Sequence, residues 1–200
     1  MDLCGIDAAL LLPIAPTSGE FGRRMEWVKQ HYQDENRFRI AGSVPNTVEI
    51  ATVKRYVSTM KKEFDIKALK CHPVVTGIDL RSTDGKERMD AMLEACHENG
   101  LPLLVHSGKN IPYWGAERGN WASLEYLQDI DWSISGEPVV IAHAGFHGCG
   151  MGEVERDLLP IMKKLLRLHT NMFVDTSGIG YKILCKVCLL YTSPSPRDRS

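Results

Sequence analysis

The chain has 200 residues, 44% of them apolar, which suits one domain with a substantial core. A formal net charge of −1 and a near-neutral pI offer no basic surface for nucleic acid or an anionic membrane. The longest apolar runs are strand-sized, well short of the roughly 20 residues needed to cross a bilayer.

The first residues, Met1-Asp2-Leu3-Cys4-Gly5-Ile6-Asp7, lack the basic start and apolar core of an export signal. The six cysteines, at positions 4, 71, 96, 149, 185 and 188, form no tight framework. Together these features predict reduced thiols in a cytoplasm. Cys185-x-x-Cys188 is a single pair with no second pair, so it gives only a weak zinc or redox signal.

Residues 6–12 are apolar and stop at Pro13, which reads as a strand, followed by a loop and a helix over about 20–33. Residues 37–44 read as the next strand, with Asn46 or Thr47 placed to cap a helix running to about residue 63. Residues 66–71 form a strand that ends in Lys70-Cys71-His72-Pro73. A turn-rich loop leads to a helix over about 86–99, terminated by Gly100 at the C′ position. Pro102 opens a strand to His106, and a helix is expected near 121–128. Pro138 opens a strand to His143, followed by a helix over 153–168 in which Pro160 implies a kink or break. A last strand over 172–175 ends in Asp175-Thr176-Ser177-Gly178. Six strands alternating with helices imply an α/β fold with a parallel sheet and right-handed crossovers.

From about residue 185 the periodicity is lost, and Ser193-Pro194-Ser195-Pro196 cannot continue a helix or a central strand. The expected division is a barrel-type domain over 1–184 and a disordered, non-native tail over 185–200. The tail resembles translated sequencing-adapter read-through.

Two strands end alike, in Leu103-Leu104-Val105-His106-Ser107-Gly108 and Val139-Val140-Ile141-Ala142-His143-Ala144-Gly145. Polar strand ends recur at His72, His106, His143 and Asp175, at intervals of 34, 37 and 32 residues. That beat is one strand-plus-helix unit, and it delivers each side chain to the carboxyl end of the sheet, where such folds place their chemistry. Neutral imidazoles ligate zinc and similar divalent ions, and a histidine beside an ion-activated water can act as general base or acid. A single strand-end histidine commonly just closes a hydrogen bond; His106 and His143 together point to a site. Lys70, two residues before His72, shares its face and suits a substrate carboxylate. Trp114 and Arg118 follow the His106 strand, where substrate loops belong, and Arg118 can pair with a carboxylate. Asp175 can meet a ligand or brace a loop. His147 lies in a Gly-rich stretch that reads as a turn or loop.

With these endings in place, the chain resembles the amidohydrolase-related group of metal-dependent hydrolases in the amidohydrolase superfamily, which also contains decarboxylases such as aminocarboxymuconate-semialdehyde decarboxylase. The resemblance rests on Gly5-Ile6-Asp7, Lys70-Cys71-His72-Pro73, LLVHSG, VVIAHAG and FVDTSG, in that order. It implies a (β/α)₈ TIM barrel, of which the six strands here would be strands two to seven. It further implies that His106 is a metal ligand and that His143 is a ligand or the proton-transfer residue. The implied ion is divalent, zinc first, and the implied substrate is a small molecule, carboxylated in the decarboxylase reading. The oligomeric state is left open.

The family's His-x-His pair on the first strand and its aspartate on the eighth are absent from this sequence. The expectation is therefore a fragment that binds zinc poorly and is inactive alone. Hydrolysis of an amide, ester or lactone is the first reading; a lyase using the same groups is the second, and a non-catalytic barrel or binding protein the third.

Overall fold

The computed structural model describes residues 5–32, 37–109 and 118–180. Six strands form one parallel sheet in the order β1-β2-β3-β4-β5-β6. They are β1 Ala9–Leu11, β2 Phe38–Gly42, β3 Ala68–Cys71, β4 Leu103–Gly108, β5 Val139–His147 and β6 Met172–Val174. Helices α1 Ser18–Tyr32, α2 Val53–Phe64, α3 Pro73–Thr76, α4 Thr83–Asn99, α5 Leu124–Leu127, α6 Met151–Glu153 and α7 Leu159–Leu168 lie between them. Sequential parallel neighbours joined by helices make a half-barrel, the partial (β/α)₈ architecture the alternation predicts.

Strand parity divides the sheet into two faces. Leu69, Cys71, Leu103, Val105, Val139, Ile141 and Met172 are buried in the main core with Met25, Val57, Met89, Leu93, Met162 and Leu165 of the helices. Full burial of each such aliphatic side chain contributes about 1.5–3 kcal/mol, so this layer carries most of the stability. The row on the other face is in register as Lys70↔Leu104↔Val140↔Phe173. It passes from buried Lys70 to Phe173, which is 49% exposed. The chemistry sits at the carboxyl end of this face.

Several boundaries differ from the sequence expectation, each for a local reason. β1 is shorter because the backbone carbonyls of Ile6 and Asp7 accept from the Arg37 guanidinium rather than from a neighbouring strand. The second helical segment begins only with a 3₁₀ turn at Ile50–Thr52, because Thr47 Oγ1 accepts from Ser18 N–H and Val48 N–H closes a turn on Pro45. The helix expected at 121–128 shrinks to Leu124–Leu127, because the Ala122 carbonyl is held by Gly108 N–H and Ser107 Oγ–H at the end of β4. Ahead of Pro160 the chain forms a π-helical turn, Val154–Leu158, the break expected where proline removes a helical donor. Gly100 ends α4 at φ 60°, as the sequence predicts.

Among the described residues no helix is long and apolar enough to cross a membrane. Cys71 and Cys96 are buried free thiols, and burial pushes both up to about 12, which makes them inert. The Cys185/Cys188 pair, the 185–200 tail and the proposed boundary at 184 lie outside the described residues.

α4 supplies a test in which two effects oppose. Ser82 Oγ accepts from Gly85 N–H at 3.0 Å and caps the helix. A Cβ on Gly85 would lie 2.0 Å from the Asp79 backbone carbonyl oxygen. Helix propensity alone favours Gly→Ala by about 1 kcal/mol, but a methyl forced into backbone costs about 1–3 kcal/mol or more. We expect Gly85→Ala to lower the thermal midpoint by several degrees; a rise would show that the Ser82–Gly85 turn is not packed as described.

Candidate functional site

The site grows out of a register break between β4 and β5. The strands pair from Leu103↔Val139 to His106↔Ala142, then resume at Gly108↔His147. The residues between Ala142 and Phe146 coil left-handed, with φ of 60° at His143, 50° at Ala144 and 76° at Gly145. Two of the three are not glycine, so the backbone is strained there. Gly108 permits the closure, since a Cβ on it would lie 2.6 Å from both the N and O of His147. The bulge turns His143 onto His106 and carries β5 on to His147, which the sequence reading had placed in a loop.

Four imidazoles consequently meet. The rings of His72 and His106 stack, with centroids 4.0 Å apart and planes 6° off parallel. His106 lies 5.0 Å from His143 and 5.5 Å from His147, ring to ring, and His143 and His147 are 4.9 Å apart. His106 Nδ1 and His143 Nε2 are hydrogen-bonded at 3.1 Å. His143 Nδ1–H donates to the Ser177 carbonyl at 2.6 Å, and His147 Nδ1–H donates to the Lys109 carbonyl at 3.0 Å. Asp175 Oδ1 accepts from His143 N–H at 2.9 Å, Ser177 N–H at 3.0 Å and Ser177 Oγ–H at 2.6 Å. The carboxylate thus braces the loop after β6 against the bulge.

Burial, reinforced by the neighbouring His72 and His143, pushes His106 down to about 2. Burial followed by the Lys70 charge pushes His72 down to about 4. Burial also lowers His143, but there the Ser177 carbonyl and the Asp175 charge pull the other way. Asp175 loses solvation, yet the hydrogen bonds from Ser177 and His143 N–H hold it below the usual carboxylate range. Lys70, 5% exposed, is lowered by burial and partly restored by Cys71 and Asp175.

Of the residues expected from sequence, His72, His106, His143 and Asp175 come together, with Lys70 in electrostatic contact with each histidine named and with the aspartate. Arg118 packs its guanidinium 5.1 Å from the Trp121 ring centre instead, and Arg81, chelated by Asp79, lies 5.9 Å from the same ring. Trp114 lies outside the described residues. His147 and Ser177 join the site without having been singled out for it. The four-residue spacing of His147 from His143 was the visible signal, masked by the glycines around it.

His72 Nδ1 and His106 Nε2 are buried with no partner among the described residues, a costly state for a polar atom unless a ligand completes it. His106 Nε2 therefore fits one ligand position of a divalent ion. Because the His72 ring is parallel to His106 and stacked on it, one ion cannot lie in both ring planes. Among the described residues no group of three or more His, Cys, Asp or Glu is arranged to hold a metal.

The depressed histidines make stability depend on pH with a defined sign. As pH falls below 6.5 the unfolded chain takes up the His72 proton first, so stability is lost between 6.5 and about 4. Each unit of that separation corresponds to about 1.4 kcal/mol. We expect the urea midpoint of His72→Phe to fall less steeply than that of the wild type between pH 6.5 and 4.5. Equal slopes would mean that His72 is not held neutral by the fold.

The strand-end histidines and the half-barrel that carries them agree with the comparison to known families. The amidohydrolase family model matches residues 17–195. No curated protein gives a significant match to the chain. The protein belongs to the amidohydrolase family.

Proposed function

We propose that this domain is a metal-dependent hydrolase of the group related to aminocarboxymuconate-semialdehyde decarboxylase, acting on an amide, ester or lactone carbonyl in a small carboxylated molecule. The buried, unpartnered Nε2 of His106 beside His143 carries the reading. His106 would hold a divalent ion, zinc first, through that nitrogen. The ion, when bound, supplies Lewis acidity at the carbonyl and makes a nearby water more acidic.

His143 is the proton carrier. Its Nδ1–H is anchored by Ser177, Asp175 is close enough to favour its protonated form, and Nε2 is the atom at which a proton is taken and returned. Ligation or proton transfer at His143 Nε2 would each exchange its 3.1 Å bond to His106; the Ser177 anchor on Nδ1 and the nearby Asp175 charge favour proton transfer. His72, with its unpartnered Nδ1, hydrogen-bonds the substrate. Lys70 orients the substrate carboxylate, and Arg118 is a second candidate partner for it.

Decarboxylation is the second reading, favoured by the buried Lys70, whose charge would hold a carboxylate beside the imidazoles.

With one bare histidine nitrogen as the ligand the described residues provide, the chain alone is expected to hold zinc weakly and to need excess ion. Assays in excess zinc against amide, ester and lactone panels, with carbon dioxide release measured in parallel, test both readings. Carbonyl hydrolysis by the wild type, where it is seen, should depend on zinc, and seeing it would overturn the expectation that this chain is inactive alone. His106→Ala should abolish the zinc response, and His143→Asn should lower kcat by about 10²–10⁴-fold. Carbon dioxide release without hydrolysis would transfer the assignment to the lyase. No zinc response in any assay would leave a binding protein.

A further inference from the structure

The tautomers of the cluster follow from its acceptors. A backbone carbonyl has no proton to give, so the 2.6 Å contact with Ser177 O requires a proton on His143 Nδ1. Ser177 Oγ lies 3.0 Å from the same nitrogen. Its own hydrogen goes to Asp175 Oδ1 at 2.6 Å, so the hydroxyl also meets Nδ1–H as an acceptor. In the neutral ring His143 Nε2 is then a bare lone pair. The atom 3.1 Å away, His106 Nδ1, must be the donor. His106 in turn has its proton on Nδ1 and none on Nε2, the buried atom without a partner among the described residues. One carbonyl thus sets two rings in sequence.

We propose that Ser177 is a positioning residue. Clamped by Asp175, its carbonyl and hydroxyl fix the Nδ1–H tautomer of His143, and through it that of His106, so that His106 Nε2 is presented as a lone pair. The inference draws on the proposed hydrolase reading only for what that lone pair receives; the order of protons stands apart from it. Ser177 sits in the loop after β6, within the Asp175-Thr176-Ser177-Gly178 strand end, where the sequence pattern singled out Asp175 alone. Asp175 acts on the imidazoles mainly through it, since the carboxylate bonds the His143 backbone N–H and not its ring. For the neutral rings, Asp175 fixes the loop, and the loop fixes the tautomers.

Long-range proton–nitrogen correlation spectra of the chelator-treated protein, labelled with ¹⁵N-histidine and recorded near pH 7.5, read the tautomers directly. Both His143 and His106 should show a protonated Nδ1 and a bare Nε2. A protonated Nε2 on either ring would overturn the proposal. Asp175→Ala removes two hydrogen bonds to the loop and one to the bulge and should turn both rings into tautomer mixtures, while Asp175→Asn, which keeps an acceptor oxygen, should restore the wild-type pattern. Unchanged tautomers in a natively folded Asp175→Ala would also overturn it. If that variant does not fold, Ser177→Ala takes its place: it removes the hydroxyl and keeps the carbonyl, so both rings should keep their tautomers, and a shift of either would overturn the part given to the carbonyl. These spectra need neither substrate nor metal. Failure of zinc-dependent hydrolysis would therefore leave the proton order standing, and a wrong proton order would leave the zinc response of His106→Ala readable.

Discussion

The site depends on unequal chain lengths in two paired strands. Between the pairs His106↔Ala142 and Gly108↔His147, β4 advances two residues while β5 advances five. The surplus must leave the sheet, and it leaves as a left-handed turn through His143, Ala144 and Gly145. For residues with a Cβ this conformation costs roughly 1–2 kcal/mol each, so it persists only where surrounding contacts outweigh it. They do so on both sides. Ala144 and Phe146 are buried in the core, and Asp175 accepts the His143 N–H that the ladder no longer uses. Without the excursion β5 would keep its alternation, and His143 and His147, which share the parity of Ile141, would both face away from His106.

That economy of placement explains what the sequence disclosed and what it withheld. Alternating aliphatic runs and amphipathic segments identify six strands because a strand buried on both faces has no other way to read. The strand-end histidines are legible for the same reason, since His72 and His106 simply continue the parity of β3 and β4. His143 was found by its position after an aliphatic run, but its orientation was not, because a bulge leaves no periodic trace. His147 was hidden by Gly145, Gly148 and Gly150, which read as a loop although the strand continues to it. Ser177 had no signal of its own within the Asp175-Thr176-Ser177-Gly178 strand end: its contribution is chiefly a backbone carbonyl, which every residue possesses. Helix starts near Asn46 and Thr47 were misplaced because a hydroxyl that can cap a helix can equally accept from a distant N–H, as Thr47 does from Ser18.

The two faces of the sheet divide stability from chemistry. The helix-side row of Leu69, Leu103, Val139 and Met172 is apolar throughout and fully covered. The opposite face carries a buried lysine and, one row further on, the imidazoles. Polar atoms left bare on the first face would merely destabilise the core. On the second they cluster at one end, where His72 Nδ1 and His106 Nε2 lie within a single stack. Buried polar atoms without partners cost about 1–3 kcal/mol each, so a pair of them in one stack argues for a ligand over a packing accident.

Charge then separates the roles. Four imidazoles and an ammonium gather around a single carboxylate, so each proton added makes the next one harder to place. His106 and His72, pushed to about 2 and about 4, stay neutral at physiological pH and keep their lone pairs. His143 and Lys70 differ from them in one respect: the Asp175 charge supports the protonated form of both. The Asp175 charge thus favours protonation on its own side of the cluster, away from the stacked pair. The proposed division of acid–base work from ligation follows that separation. The same carboxylate that braces the loop after β6 decides which imidazole carries the proton, which is why loop geometry and protonation cannot be varied independently here.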